Sequence, residues 1–314
     1  MTTHPDGAAW TARRYRALPG VEYLPEELGR IAGADAAGVL DAVRLVRRGE
    51  VYDLDAGRWS GMPLFAGHPQ FQVVRYRTAA GQDLAGDFDE WRGVNEVHMG
   101  FTTEIVSGTV HTGTHLDALC HTTCGADNSW YGGFTSEQAL GDFGPTRAEA
   151  SSIAPFVTRG VLVDMAAARG ESALPAGYVI PLAEFRAAAQ AQGVEFRRGD
   201  AVLVHTGYLG TWNEGDPAAH KGAGISIEVA RYLVEAGAVL VGADNETVEA
   251  DPSPDPVNPH PVHIHLMVES GVHLLELAWL GDLARDRIHE FLFICLPLRI
   301  RGATGSMVRP VAIA

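Results

Sequence analysis

The chain has 314 residues, of which 46% are hydrophobic and 20% charged, a balance typical of globular proteins and unlike that of disordered or fibrous ones. Acidic residues outnumber basic ones by 39 to 24, and the formal charge of −15 disfavours nucleic-acid and anionic-membrane partners. The three cysteines are too few for a disulfide framework. The sequence also shows neither the apolar core of a signal peptide nor an apolar stretch as long as a membrane helix. We therefore expect a soluble, cytoplasmic protein.

Residues 1–49 form a predicted N-terminal extension with helical character. Apolar residues recur at roughly helical spacing between Glu26 and Arg48, while three glycines weaken the pattern, so one or two short helices are expected. No convincing linker interrupts residues 50–314, which we therefore expect to form one domain.

Short β-branched or aromatic runs bounded by Gly, Pro or Asp predict strands from residue 50 onward. These runs are Val51–Leu54, Phe71–Arg77, Phe101–Val110, Val161–Asp164, Ala201–His205, Ala238–Val241, Val272–Leu275 and Glu290–Leu296. Helical patterns lie at Leu182–Gln192, Ser226–Ala236 and Pro261–Ser270, and the proline-rich segment Ala250–Pro261 predicts a loop. This alternation favours an α/β fold with a mixed β-sheet.

The most informative segment is Val110–Thr122. Its metal-binding or proton-transferring side chains are His111, His115, Asp117 and His121. Imidazole nitrogens with one carboxylate oxygen suit Zn²⁺, or a somewhat harder ion such as Mn²⁺. A strand ending at Val110, a turn at Gly113 and a helix beginning near His115 would bring the first three together. His121 would then lie beside the metal, where a general base for an attacking water belongs.

Other polar clusters leave alternatives open. Cys120 and Cys124 flank His121 and suggest a thiolate site or a cysteine nucleophile, but buried small hydrophobic residues are the favoured interpretation. The segment Gly242–Glu249 follows a strand, and its Asp244 or Asn245 either supports a site or forms a turn.

A second histidine-rich region runs from Asn258 to Glu276. Its candidate ligands are His260, His263, His265, His273, Glu269 and Glu276. A solvated helix face or a subunit contact is the alternative for most of them. Near the C-terminus, the run from Gly302 to Ser306 predicts a tight turn near the pocket.

The segment from His111 to His121 resembles the H-x-G-T-H-x-D-x-P-x-H signature of the cyclase family, a metal-dependent group that includes bacterial kynurenine formamidases and isatin hydrolases. Leu119 stands at the proline position of that signature. The likeness covers about residues 50–314 and includes these further blocks: Tyr52–Leu54, Gly61–Gly67, Gly199–Leu203, His263–Glu276 and Gly302–Ser306.

This resemblance implies a fold similar to swivelling β/β/α domains, assembled as a homodimer or homotetramer. It implies that His111, His115 and Asp117 bind a divalent metal, Mn²⁺ or Zn²⁺, and that His121 acts in acid–base catalysis. In dinuclear relatives a His and a Glu complete a second site; by position these are His263 and Glu276.

The predicted function is metal-dependent hydrolysis of a small, aromatic amide or lactam C–N bond. By resemblance Phe65 walls the substrate pocket, and Trp59 and Trp130 are further candidate walls, with core packing as the alternative for each tryptophan. The main alternative function is aldol or Claisen ring closure in aromatic polyketide biosynthesis. A metal-storing protein without turnover is the non-enzymatic alternative.

Overall fold

The computed structural model describes residues 18–19, 21, 23–91, 93–212 and 221–314. In chain order, its strands are β1 (Val51–Asp53), β2 (Gln72–Arg77), β3 (Thr103–Ser107), β4 (His115–Asp117), β5 (Leu140–Gly141), β6 (Gly144–Pro145), β7 (Phe156–Asp164), β8 (Val179–Ile180), β9 (Ala201–His205), β10 (Gly224–Ile225), β11 (Leu240–Ala243), β12 (His273–Glu276), β13 (Glu290–Cys295), β14 (Gly305–Met307) and β15 (Val311–Ile313).

The α-helices are α1 (Ala36–Val43), α2 (Ala79–Ala85), α3 (Ser136–Ala139), α4 (Met165–Ala168), α5 (Leu182–Ala191), α6 (Ile227–Ala236), α7 (Pro261–His263) and α8 (Gly281–Arg285). Short 3₁₀ segments lie at Pro25–Gly33, Asp89–Trp91, Ala150–Ser152 and Tyr208–Thr211, and a π-helical segment, Ile264–Glu269, continues α7. None of the described helices is both long and apolar enough to span a membrane.

Nine strands form one mixed sheet in the order β1-β15-β13-β7-β9-β11-β12-β4-β14. The four central neighbours β7, β9, β11 and β12 run parallel, and the outer pairs are antiparallel. The parallel strands are rich in apolar residues and almost entirely buried, as expected for strands covered on both faces. The expected α/β fold with a mixed sheet is confirmed.

Of two predicted elements of the metal-binding region, one strand is shorter than expected and one helix is wrong. The strand expected over Phe101–Val110 is the shorter β3, and it pairs with β2 in a separate two-stranded ribbon outside the main sheet. The helix expected to begin near His115 is the strand β4, which lies between β12 and β14 and is antiparallel to both. Because both edges of β4 are paired, long-range hydrogen bonding overrides the local helix-start signal.

The N-terminal extension packs on the domain where it is described; its residues 1–17, 20 and 22 lie outside the described part. Leu28 and Ile31 are buried, and the backbone N–H of Arg30 donates to the carbonyl of Gly271 at 2.8 Å. The predicted short helices are the Pro25–Gly33 segment and α1, and α1 contacts β7.

Candidate metal centre

β4 places two ligand-type side chains on one face of the sheet. His115 and Asp117 are two positions apart, so both point to the same side, while Leu116 points to the core on the other. In the antiparallel register, Glu276 of β12 lies directly opposite His115. Nε2 of His115 is 3.2 Å from a carboxylate oxygen of Glu276 and 3.7 Å from one of Asp117.

His111 reaches the same point from the turn that precedes β4. Its Nδ1 lies 2.9 Å from a carboxylate oxygen of Asp117. The turn requires Gly113, whose φ is +56° and whose position would bring a Cβ to 2.6 Å from the carbonyl oxygen of Gly57. Gly305 is also needed, because a Cβ there would lie 2.7 Å from Cε1 of His111.

The last member comes from α7. Nε2 of His263 is 3.2 Å from the second oxygen of Glu276. The five side chains of this cluster are all buried, with at most 8% of any residue exposed. They are His111, His115, Asp117, His263 and Glu276.

Hydrogen bonds fix one nitrogen of each imidazole away from the carboxylates. Nδ1 of His115 donates to the carbonyl of Gly113 at 2.7 Å, and Nε2 of His111 bonds to the hydroxyl of Thr304 at 2.9 Å. The opposite nitrogen of each ring is therefore turned toward Asp117. Such bonds set the tautomer and ring orientation of metal-binding histidines.

The donor atoms fit a divalent cation. The buried atoms that lack a hydrogen-bond partner among the described residues include Nδ1 of His111, Nε2 of His115, both carboxylate oxygens of Asp117 and one of Glu276. Buried carboxylate and imidazole atoms without a partner lower the stability of the fold unless they bind an ion. Two groups have ligand atoms within 4.8 Å of one another, His111–His115–Asp117 and Asp117–His263–Glu276, and they share Asp117.

The surrounding charges keep both carboxylates ionised. Burial alone would raise the pKa of Asp117, but the neighbouring imidazoles of His121 and His111 outweigh it and hold that pKa well below its usual range. Burial and the charge of Asp117 raise the pKa of Glu276, yet the adjacent imidazoles of His115 and His263 leave it lower than usual. An ionised pair of carboxylates is what a divalent cation requires.

His121 lies beside this cluster and belongs to neither ligand group. It follows β4 in a turn closed by its backbone N–H on the carbonyl of Ala118, and its ring stacks on His111 with centroids 3.9 Å apart. Burial is the main cause that lowers the pKa of His121 to about 4. A neutral imidazole near pH 7 has one nitrogen free to accept a proton.

A cavity of about 190 Å³ opens onto the cluster and onto His121. Its apolar wall includes Leu64, Phe65 and Leu277, so Phe65 lies where the sequence places it. Trp59 is 47% exposed, packs edge-on against Trp212 and is not among the described lining residues.

Trp130 is not a pocket wall, which corrects the expectation from sequence. It is only 3% exposed, and its indole N–H donates to the carbonyl of Arg147 at 3.2 Å, so it packs in the core.

Cys120 is a buried free thiol whose pKa is raised by burial, as expected for a packed hydrophobic residue.

Several cavity and supporting residues were not predicted. His68 stacks on His111 with centroids 5.3 Å apart, and Glu246 also lines the cavity. Glu249 contacts His263 from behind, with Oε1 2.6 Å from Nδ1. His68 comes from a loop with no ligand-like spacing. Glu246 and Glu249 lie in the segment Gly242–Glu249, in which the sequence pattern favours Asp244 or Asn245 instead.

The remaining candidates from the second half of the chain have structural partners. Asp244 accepts hydrogen bonds from the backbone N–H groups of Thr206 and Gly207, so it joins the segments that follow β9 and β11, and it belongs to none of the ligand groups found among the described residues. His273 donates from Nδ1 to the backbone carbonyl of Asp117, and His265 pairs with Glu269 at 2.7 Å.

The model of the Cyclase family matches residues 47–250. This match spans more than half of the chain, and the chain belongs to the cyclase family. A crystal structure described as that of a novel cyclase is 27% identical, with a TM-score of 0.78 and coverage of 92% of this chain and 96% of its own.

Two isatin hydrolases share the fold at lower identity. Isatin hydrolase A from Ralstonia solanacearum is 21% identical, with a TM-score of 0.61 over 88% of this chain and 94% of its own. Isatin hydrolase A from Labrenzia aggregata is 20% identical, with a TM-score of 0.59 over 86% and 94%. No curated protein matches the chain.

Proposed function

We propose that this cyclase-family chain is a metal-dependent hydrolase that opens the C–N bond of a small aromatic amide or lactam. The observation that carries the proposal is the position of His121, whose ring stacks on His111 with centroids 3.9 Å apart, beside a buried cluster of unsatisfied ligand atoms that lines a cavity. Ligands, proton acceptor and substrate space then meet in one place.

The cluster would hold Mn²⁺ or Zn²⁺. His111, His115 and Asp117 form the first ligand group, and Asp117, His263 and Glu276 form the second. A divalent cation bound there supplies a Lewis acid that polarises a carbonyl and acidifies water.

His121 performs the proton transfers. Burial lowers the pKa of His121, so its ring is unprotonated near pH 7 and has a nitrogen available for the proton of the attacking water. The same burial disfavours the imidazolium form, so the proton passes readily to the leaving nitrogen when the C–N bond breaks. No ligand group needs this side chain, which leaves it free for the task.

The cavity selects small substrates. Its volume of about 190 Å³ is below the range of roughly 300–1,000 Å³ typical of drug-sized ligands. Phe65 and Leu277 offer apolar contact to a flat ring, while Trp59 lies outside as a partner of Trp212. A long polyketide chain would need a larger cavity to fold for aldol or Claisen ring closure. The small volume therefore favours hydrolysis of a small substrate over ring closure.

A panel of neutral substrates tests this function. Formylated anilines, isatin-like lactams and dihydropyrimidine-like rings should release acid at neutral pH when the wild-type chain is loaded with Mn²⁺ or Zn²⁺. If the fully metal-loaded chain releases no acid from any substrate of the panel, the result would contradict hydrolysis and favour ring closure or metal storage.

We also propose that the chain is a homo-oligomer joined through an arm, defined as residues 72–91 and 93–107. The arm contains the β2–β3 ribbon, and both faces of that ribbon are apolar: Val73 lies opposite Val106, and Val74 opposite Ile105. Each of the four is 48–55% exposed. A two-stranded ribbon is at best marginally stable alone, so both faces need a cover.

The exposed apolar surface of the arm matches what a dimer needs. The arm's other exposed apolar side chains include Tyr76, Leu84, Val94, Val97, Met99 and Phe101. Ten large apolar side chains exposed within one segment are more than a monomer needs, and a stable interface buries about 800 Å² per partner. Arg75 lies opposite Glu104 on the ribbon, so these two charges are placed to compensate each other within one chain.

A further inference from the structure

Glu249 is a buried carboxylate that lies directly behind His263. One oxygen lies 2.6 Å from Nδ1 of His263 and accepts the backbone N–H of the same residue at 3.1 Å. The other oxygen accepts the backbone N–H of Val262 at 3.0 Å. Glu249 is only 2% exposed, so these contacts are shielded from water.

The backbone that carries Glu249 is held in an unfavourable conformation. Val248, the preceding residue, is fully buried with φ of +59°, a region that β-branched side chains rarely adopt. The side-chain oxygen of Asn245 accepts the N–H of Val248 at 2.7 Å and stabilises this turn. Gly224 allows the backbone of Glu249 to pack closely against it, because a Cβ at this position would lie 2.1 Å from the carbonyl carbon of Glu249. Local strain that the surroundings maintain is characteristic of functional positions.

The carboxylate determines which nitrogen of His263 carries the proton. An ionised carboxylate only accepts hydrogen bonds, so Nδ1 of His263 must donate. The lone pair then belongs to Nε2, which lies 3.2 Å from Glu276 and faces the shared ligand Asp117. Glu249 also binds two N–H groups at the start of α7, and this fixes the position of the helix that carries His263.

Both oxygens of Glu249 already accept hydrogen bonds. Glu249, His260 and His263 have atoms close enough to form a third ligand group. However, both oxygens of Glu249 already accept hydrogen bonds from α7, and Nδ1 of His260 lies farther away, at 3.5 Å. The contacts therefore favour a role through His263 over direct metal binding.

We infer that Glu249 is a positioning residue that holds Nε2 of His263 toward Asp117 and Glu276 and so sets the affinity of the second cation. This inference rests on the proposed metal-dependent function, and it concerns the second ligand group alone. Loss of a supporting partner of this kind lowers metal affinity by about 10- to 100-fold.

The test compares Glu249→Gln with Glu269→Gln by titrating the metal-free full chain with Zn²⁺ against a chelator. Glu269 is the matched control, since it pairs with Nδ1 of His265 at 2.7 Å on the exposed side of the same helical segment. We expect Glu249→Gln to weaken the second Zn²⁺ by about 10- to 100-fold and leave the first unchanged. Glu269→Gln should titrate as the wild type does.

A double-variant cycle separates positioning from general destabilisation. If Glu249 acts through His263, Glu249→Gln should cost no further Zn²⁺ affinity in a His263→Ala background. If the losses of Zn²⁺ affinity caused by Glu249→Gln and His263→Ala add up in the double variant, the inference would be overturned. If Glu249→Gln does not fold, Glu249→Asp keeps the charge, and a wild-type affinity for the second Zn²⁺ in that shortened variant would also overturn it.

Nitrogen NMR of the Zn²⁺-loaded chain reads the tautomer directly. The wild type should show a protonated Nδ1 and a metal-bound Nε2 at His263, and Glu249→Gln should show a mixture of forms. Unchanged His263 signals and unchanged Zn²⁺ affinity in Glu249→Gln would contradict the inference. A wild-type chain that binds one Zn²⁺ tightly and never a second would also contradict it, while the proposed hydrolysis at the first cation would stand.

Discussion

The ring of His121 lies nearly parallel to the ring of His111, with centroids 3.9 Å apart and planes inclined by 25°. The two imidazoles nevertheless face different partners. His111 turns Nδ1 toward Asp117, whereas His121 belongs to neither ligand group. The proposed ligand His111 and the proposed proton carrier His121 are thus neighbours whose roles can be separated by substitution.

His121→Ala should therefore keep the metal and lose turnover. We expect kcat to fall by about 10²- to 10⁴-fold, the usual contribution of a general acid–base. Elemental analysis and acid-release assays on one preparation measure both quantities, with His265→Ala as the control outside the cavity lining. An active His121→Ala would contradict the assigned role.

Gly305→Ala tests how closely the sheet packs on the first ligand. The added Cβ would lie 2.7 Å from Cε1 of His111, so the ring must move and metal affinity should drop by about tenfold or more. Gly210→Ala is the matched control, because a Cβ there meets no atom within 4 Å of the described chain. Chelator competition measures the affinity, and equal affinities in the two variants would contradict the geometry.

The first ligand group is predictable from sequence because its members lie within seven residues. His111, His115 and Asp117 meet whether the segment is helix or strand, since a turn at Gly113 brings them together in either case. The secondary structure is not predictable locally. β4 has three residues and owes its form to β12 and β14, which lie more than 150 residues later in the chain.

Residues that support the site illustrate the same limit. Glu249 and Glu276 contact His263 only because two parallel strands of the sheet end side by side. Trp130 shows the converse: its aromatic character suggests a pocket wall equally well as a core residue, and only its burial decides. Strands such as β9 and helices such as α5 were predictable because a continuous apolar run or a helical period spans each of them.

An ion pair outside the cluster, His205 with Asp164, predicts how stability depends on pH. Nδ1 of His205 lies 2.9 Å from Asp164. Burial alone would lower the pKa of His205, but the hydrogen bond to Asp164 and the charge of Asp244 outweigh it and raise that pKa. The stabilisation is therefore fully present below the unfolded pKa of about 6.5 and is lost as the pH rises through the folded value.

His205→Gln should lower the free energy of unfolding by about 1–3 kcal/mol at about pH 6 and by less at about pH 9. Urea titrations of both proteins at the two pH values measure this difference. If the difference in unfolding free energy between the wild type and His205→Gln grows as the pH rises, the raised pKa assigned to His205 would be contradicted.

The arm predicts a self-associating chain. Ile105→Asp places a charge on an apolar face of the ribbon and should shift the wild-type oligomer toward monomer. Val257→Asp is the control, since Val257 is 88% exposed and lies outside the arm. Sedimentation velocity distinguishes the species, and a wild-type chain that is monomeric at micromolar concentration would contradict the proposed interface.

The most direct test of the central claim is the metal content of the wild-type chain and of Asp117→Asn, the ligand shared by both groups. After exchange into Mn²⁺ or Zn²⁺ and removal of the excess, we predict at least one cation per wild-type chain and almost none in the variant. A wild-type chain that retains no cation, or an Asp117→Asn chain that retains as many as the wild type, would contradict the account.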